Sequence, residues 1–113
     1  MSKVVRKANV QSTLTSSTEK RKTFLFQDLA VDSWYSITLS NFEDENLRYL
    51  CWIRRKSNTE IVYALFEIKN GNLEFVKKST RKRTHIDSGA RPVYSLTARE
   101  LRMTIHFNKT MKE

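Results

Sequence analysis

One short run in this chain carries the residue types that hold single-stranded nucleic acid. Arg48, Leu50, Trp52 and Arg54 alternate with Tyr49, Cys51 and Ile53. A strand of period two would put the arginines and the indole on one face. Bases stack on aromatic rings there while guanidinium groups hold the phosphates, each stacked base contributing roughly 1–3 kcal/mol. Trp34, on the face of Ser36 and Thr38, is expected to stack likewise. Arg48, Arg54, Arg55 and Lys56 are expected to hold phosphates beside the two rings. Residues 77–91 supply Lys77, Lys78, Arg81, Lys82, Arg83 and Arg91 against the single acid Asp87. Their composition predicts a basic loop, tethered at both ends, that clamps a polyanion. Lys20, Arg21 and Lys22 close a Ser- and Thr-rich arm that would lie along phosphates and be switched off by phosphorylation.

Catalytic patterns are absent. The two histidines, His85 and His106, and the one cysteine, Cys51, lack metal-ligand spacing. No nucleophile elbow, phosphate-cradling glycine loop or zincin motif occurs. Glu43, Asp44 and Glu45 read as a solvated turn. The expectation is a protein that is not an enzyme and needs no cofactor or metal.

The length and charge distribution frame these residues. The chain of 113 residues, net charge +9, fits one domain. Residues 1–22 hold six cations and one acid, and residues 76–92 the same, whereas residues 23–75 hold five cations and eight acids. Discrete basic blocks around a slightly acidic body indicate a footprint on a partner. We expect a disordered basic arm over 1–22, a single β-rich domain over 23–108 and a tail over 109–113. The lone cysteine forbids an internal disulfide and reads as a small buried hydrophobe in a reducing compartment. No apolar stretch is long enough to span a membrane, and no secretory leader is visible. The expected localisation is intracellular, nuclear or cytoplasmic.

The elements that must position the site read as mainly β. Phe24–Phe26, Trp34–Ser40, Leu47–Arg55 and Glu60–Lys69 are predicted strands. Asn70-Gly71 predicts a type I′ hairpin, with Ile68 opposite Leu73, Phe66 opposite Phe75 and Glu67 unfavourably opposite Glu74, a cost relieved by Lys69 or Lys77 nearby or avoided by a loop one residue longer. Two signals conflict near the C-terminus. Thr97 and Glu100 have capping-box spacing, yet Leu101, Met103, Ile105 and Phe107 alternate like a strand. One helical turn leading into a final strand is the favoured reading, and a continuous helix the alternative. The predicted fold is a five- or six-stranded antiparallel sheet, or a small OB-like barrel, with at most one short helix.

Three pieces give the chain a resemblance to the single-stranded-DNA-binding transcriptional coactivators of the positive-cofactor-four type. Ile37-Thr38-Leu39-Ser40-Asn41-Phe42 is similar to that family's first core strand and Leu50-Cys51-Trp52-Ile53-Arg54 to its second. Val93 to Leu101 is similar to its last strand running into its helix. The family's Gly-Lys turn is replaced here by Glu43-Asp44-Glu45-Asn46, and the 60–78 hairpin is longer. The resemblance implies a curved antiparallel sheet, a helix-mediated dimer and a groove for single strands. It carries over only Arg54 as a nucleic-acid contact.

The resulting expectation is a non-catalytic protein that binds single-stranded DNA or RNA with little sequence specificity, as a monomer or homodimer, and does not bind membranes. The alternative is a protein-interaction or assembly module. Its basic loop would then meet an acidic protein surface, or Arg81-Lys82-Arg83 would act as a nuclear targeting signal.

Overall fold

A computed structural model describes residues 21–39 and 48–111; the arm through Lys20 and the acidic turn at 43–45 lie outside the described residues. Four antiparallel strands form one open sheet in chain order: β1 (Trp34–Thr38), β2 (Arg48–Lys56), β3 (Glu60–Lys69) and β4 (Asn72–Lys82). A short helix α1 (Arg83–Asp87) follows β4, and a long helix α2 (Ala98–Met111) ends the described chain. The mainly β reading holds, with four strands in an unclosed sheet.

The Asn70-Gly71 hairpin forms in the predicted register, with Ile68 facing Leu73, Phe66 facing Phe75 and Glu67 facing Glu74. Asn70 and Gly71 both take positive φ, 54° and 78°, the backbone a type I′ turn demands. Pairing continues, past a one-residue bulge between Leu65 and Phe66, to the Glu60–Lys82 pair. Residues 77–82 therefore belong to a strand and residues 83–87 to a helix, in place of the predicted basic loop. Ladder hydrogen bonds outweigh the poor strand propensity of lysine at an edge, where long charged stems remain solvated.

Phe24–Phe26 is not a strand. Thr23 makes an isolated bridge to Tyr94, and Phe26–Asp28 forms a 3-10 turn. The Phe26 amide donates to the Asp87 carboxylate at 2.8 Å, which fixes this turn against α1.

Residues 98–111 form one helix in place of a final strand. The capping box is made in both directions: the Glu100 amide donates to Thr97 Oγ1 at 3.1 Å, and the Thr97 amide to Glu100 Oε1 at 2.9 Å. Glu100, Thr104 and Phe107, spaced 4 and 3 apart, turn towards the sheet, as helical periodicity requires. The apparent alternation divides between two helix faces, because Leu101 and Ile105 are exposed while Met103 and Phe107 are partly buried. Arg21 clamps the start of α2. Its guanidinium meets Glu100 bidentately at 2.6 and 3.1 Å and also donates to the Ser95 carbonyl at 3.0 Å.

Both faces of the sheet are covered, which explains why all five β1 residues are buried. On one face Tyr35, Ile37, Cys51, Ile53, Ile61, Tyr63 and Leu65 pack under Phe26, Leu29, Ile86 and Val93. On the other, Trp34, Leu50, Ala64 and Phe66 pack with Trp52 under Leu96 and Phe107. The two sheet edges differ. β1 is sealed by reciprocal bonds between Ser36 and Tyr94, each 2.8 Å. β4 pairs with β3 alone and presents an open edge among the described residues.

Candidate functional site

The predicted aromatic–basic face exists, and α2 lies across it. Trp34 and Trp52 are direct neighbours in the β1–β2 register and stack at 5.3 Å with their planes 4° apart. Phe107 from α2 meets both rings edge-on, at 5.6 and 6.1 Å. Arg54 covers Trp52 with its guanidinium 3.8 Å from the ring centroid, and it also pairs with Asp32 at 2.9 Å. Trp52 is thus flanked by Trp34, Arg54 and Phe107, and Trp34 is only 9% exposed. In this arrangement the two indoles serve as core, with Arg54 at the exposed margin of the stack. Arg54 is also the residue that the coactivator resemblance singles out.

Several predicted phosphate contacts are engaged inside the fold. Arg48 is buried, its guanidinium 4.3 Å from the Tyr94 ring centroid. Arg81 is 3% exposed. It donates to the carbonyls of Pro92 at 2.9 Å, Thr38 at 3.2 Å and Arg91 at 3.4 Å. Desolvation draws its pKa downward; the three carbonyls offset part of that cost by accepting from both Nη atoms, while the buried Nε has no partner among the described residues. Arg81 therefore pins the 91–92 segment to the end of β1 and is withheld from any partner while the strand is folded. Lys56 donates to the Leu29 carbonyl at 2.8 Å and lies over the Phe26 ring. Arg83 also reaches the Phe26 ring and pairs with Asp87 at 3.5 Å. Arg21 is held by Glu100. Lys22 is exposed and near Phe24.

Arg55, Lys77, Lys78, Lys82 and Arg91 remain exposed, and two β-bulges decide which of them share a face. The first interrupts the β2–β3 register between Ile53 and Arg55. It places Arg55 opposite Val62, on the α2 side, and sends Lys56 opposite Ile61 to the far side. The second interrupts β3–β4 between Leu65 and Phe66. Phe75 pairs with Phe66, but beyond the bulge Lys78 pairs with Ala64, Thr80 with Val62 and Lys82 with Glu60. An extra residue in one strand of a pair shifts the alternation beyond it. Without it, Arg81 and Lys77 would share the face of Phe75; with it, Lys78 and Lys82 do, and Arg81 enters the core.

This produces an aromatic–basic face different from the predicted one. Phe75 is 59% exposed and is the only exposed Phe, Tyr or Trp ring among the described residues. Phe66 supports it edge-on at 5.7 Å. Leu73 precedes it on the same face, and Lys78, Thr80 and Lys82 follow, with Arg55 across Val62. The predicted hairpin pairs Phe75 with Phe66, and that pairing by itself does not expose the Phe75 ring. Its exposure on the edge strand was the missing information.

At the hairpin end the face runs into a cleft of about 520 Å³ between α2 and the β3–β4 turn. Leu73, Met103 and Phe107 line it together with Arg99, Arg102 and His106. His85 is exposed on α1, and among the described residues no cluster of His, Cys, Asp or Glu is suited to a metal ion. No helix there is long and apolar enough to cross a membrane. No family model, curated protein or solved structure matches the chain.

Cys51 is fully buried, and desolvation pushes its thiol up to about 12 from near 9. The unfolded chain gives up this proton near pH 9 while the folded chain retains it. The unfolded state therefore binds fewer protons, and stability falls as pH rises from about 9 towards 12. The loss approaches about 1.4 kcal/mol per pH unit. Urea unfolding at pH 8 and pH 10 should show wild type losing more stability over that interval than Cys51→Ala. Equal losses would show that the thiol does not titrate differently in the two states.

Proposed function

We propose that this protein binds single-stranded nucleic acid without catalysis and with little sequence specificity, along the β4 side of the sheet. Phe75 offers a ring for one base, and Lys78, Lys82 and Arg55 hold the phosphates that follow. The observation that carries this reading is the exposed Phe75 ring on the same strand face as Lys78 and Lys82, which have no ion-pair partner among the described residues. One exposed ring is ordinary on a protein surface; its place in line with the lysines is what suits a strand, and stacking tolerates any base because every base has a π-face. Lysines also discourage edge-to-edge strand pairing, but that role does not account for the ring among them. Lys77 and Arg91, exposed nearby, and the basic arm would add sequence-independent attraction.

Neutralising three or four phosphates predicts a slope of about −2 to −3 in log affinity against log salt, given roughly −0.7 per contact on single strands. Binding of fluorescent oligo-dT should weaken by about a hundredfold to a thousandfold over a tenfold rise in salt. Salt-independent binding would eliminate the phosphate mechanism.

A second reading has its own observation. Leu101 and Ile105, 50% and 58% exposed, lie one turn apart on α2, away from the sheet. A protein partner, a second copy of this chain included, would cover that stripe. Light scattering in the same salt series separates the readings: a stable dimer that ignores oligo-dT favours assembly, and a complex with oligo-dT favours the nucleic-acid role. The targeting-signal version requires Arg81 to leave the core.

A further inference from the structure

We infer that the cleft between α2 and the β3–β4 turn takes a nucleotide that carries a terminal phosphate, its base against Leu73, Met103 and Phe107 and its phosphomonoester at Arg99, Arg102 and His106. The inference deepens the strand-binding reading, on which it rests for one of two sources of that ligand, a strand end; the other is a free mononucleotide.

The volume of about 520 Å³ falls within the range of small-molecule sites. Its chemistry is divided as a nucleotide requires. Leu73 from β4 and Met103 and Phe107 from α2 form the apolar lining. Phe107 is held rigidly by ring contacts to Phe66, Trp34 and Trp52 at 4.9, 5.6 and 6.1 Å. Arg99, Arg102 and His106 recur at three- and four-residue spacing, so they stand on one flank of α2. Among the described residues no acid lines the cleft. Arg99 and Arg102 are exposed, and among the described residues neither side chain has an ion-pair or hydrogen-bond partner. This contrasts with Arg21, Arg48, Arg54, Arg81 and Arg83, each of which is engaged within the fold.

Two guanidinium groups and an imidazole suit a phosphomonoester better than an internal phosphodiester. A phosphomonoester carries about −1.5 to −2 charges at pH 7 and three acceptor oxygens. Guanidinium forks meet such oxygens bidentately. The cleft also stands where the β4 face ends at the Asn70-Gly71 turn, beside Leu73 and two residues from Phe75. A strand lying along Lys82, Lys78 and Phe75 reaches the cleft with its terminus.

The test uses the full chain and dT12 in three forms, with a 5′-phosphate, with a 3′-phosphate and with hydroxyls at both ends. One phosphorylated form should bind about five- to tenfold tighter than the hydroxyl form. Arg102→Ala should abolish that advantage while leaving the hydroxyl form within about twofold, and Phe75→Ala should weaken all three forms. Equal affinity for the three forms, with Phe75→Ala still weakening them, overturns the strand-end source, leaves strand binding standing and passes the cleft to the dTMP comparison. If no form binds, strand binding falls, and the cleft is then decided by dTMP against thymidine. Amide NMR shifts at Arg102, Met103 and Phe107 with dTMP alone, lost in Arg102→Ala, assign the cleft to a free nucleotide. No dTMP-specific shifts overturn it.

Discussion

Replacing Glu100 by alanine is expected to lower the unfolding free energy by about 3–5 kcal/mol, the range for removing one partner of a buried ion pair. Glu100 is 6% exposed, and the Arg21 side chain is 7% exposed. The substitution strands the Arg21 guanidinium in the interior and removes an acceptor from the Thr97 amide at the start of α2. Three consequences coincide: a buried cation loses its counter-charge, the helix loses half of its capping box, and the chain near residue 21 loses its tether. In a domain this size 1 kcal/mol corresponds to about 4–8 °C in Tm, so thermal unfolding should shift by more than 10 °C. Glu100→Gln keeps an acceptor for Thr97 but loses the charge, and it should fall between wild type and alanine. A shift of only a degree or two for Glu100→Ala would show that the pair is solvated and that α2 starts without it.

The second large effect separates the two aromatic sites. Trp34→Ala should destabilise the fold by about 3–5 kcal/mol, as large-to-small changes in a packed core do. The ring stacks on Trp52 and touches Phe66 and Phe107, at 5.0 and 5.6 Å. Phe75→Ala removes a ring that is mostly in solvent, so stability should change by less than about 1 kcal/mol. Its oligo-dT affinity should nonetheless fall by about 1–3 kcal/mol, the cost of one lost base stack. Urea unfolding and fluorescence anisotropy on both variants read the contrast. If Trp34→Ala stays stable but loses binding, the indoles are the platform and α2 must move aside to expose them. If Phe75→Ala binds normally, the edge ring has no role in the ligand.

The difference between these two aromatic sites reflects how each is specified. The chain carries the alternation that puts Arg48, Leu50, Trp52 and Arg54 on one face, and β2 realises it. Composition cannot say what covers that face, because an amphipathic strand and a ligand platform have the same period. The cover comes from α2, whose docking depends on Phe107 and Leu96, far along the chain from Trp34 and Trp52. The strand-like alternation of residues 101–107 also concealed the helix that performs it.

Local chemistry was readable wherever neighbours in sequence set the outcome. Asn70-Gly71 fixed the hairpin and its three facing pairs, because a two-residue turn with positive φ leaves one register. Thr97 and Glu100 marked the start of α2, because a capping box closes within four residues. The burial of Cys51 between Leu50 and Trp52 followed from its type and setting. The tertiary structure alone determined the two bulges, the closure of the β1 edge by Tyr94 and the helix across the tryptophans. A bulge adds one residue to one strand, so it reverses which side chains face outward without altering the alternation on either side of it. That single step placed Arg81 among backbone carbonyls and left Lys78 and Lys82 beside Phe75, an exchange that depends on pairing between strands and is invisible in either strand by itself.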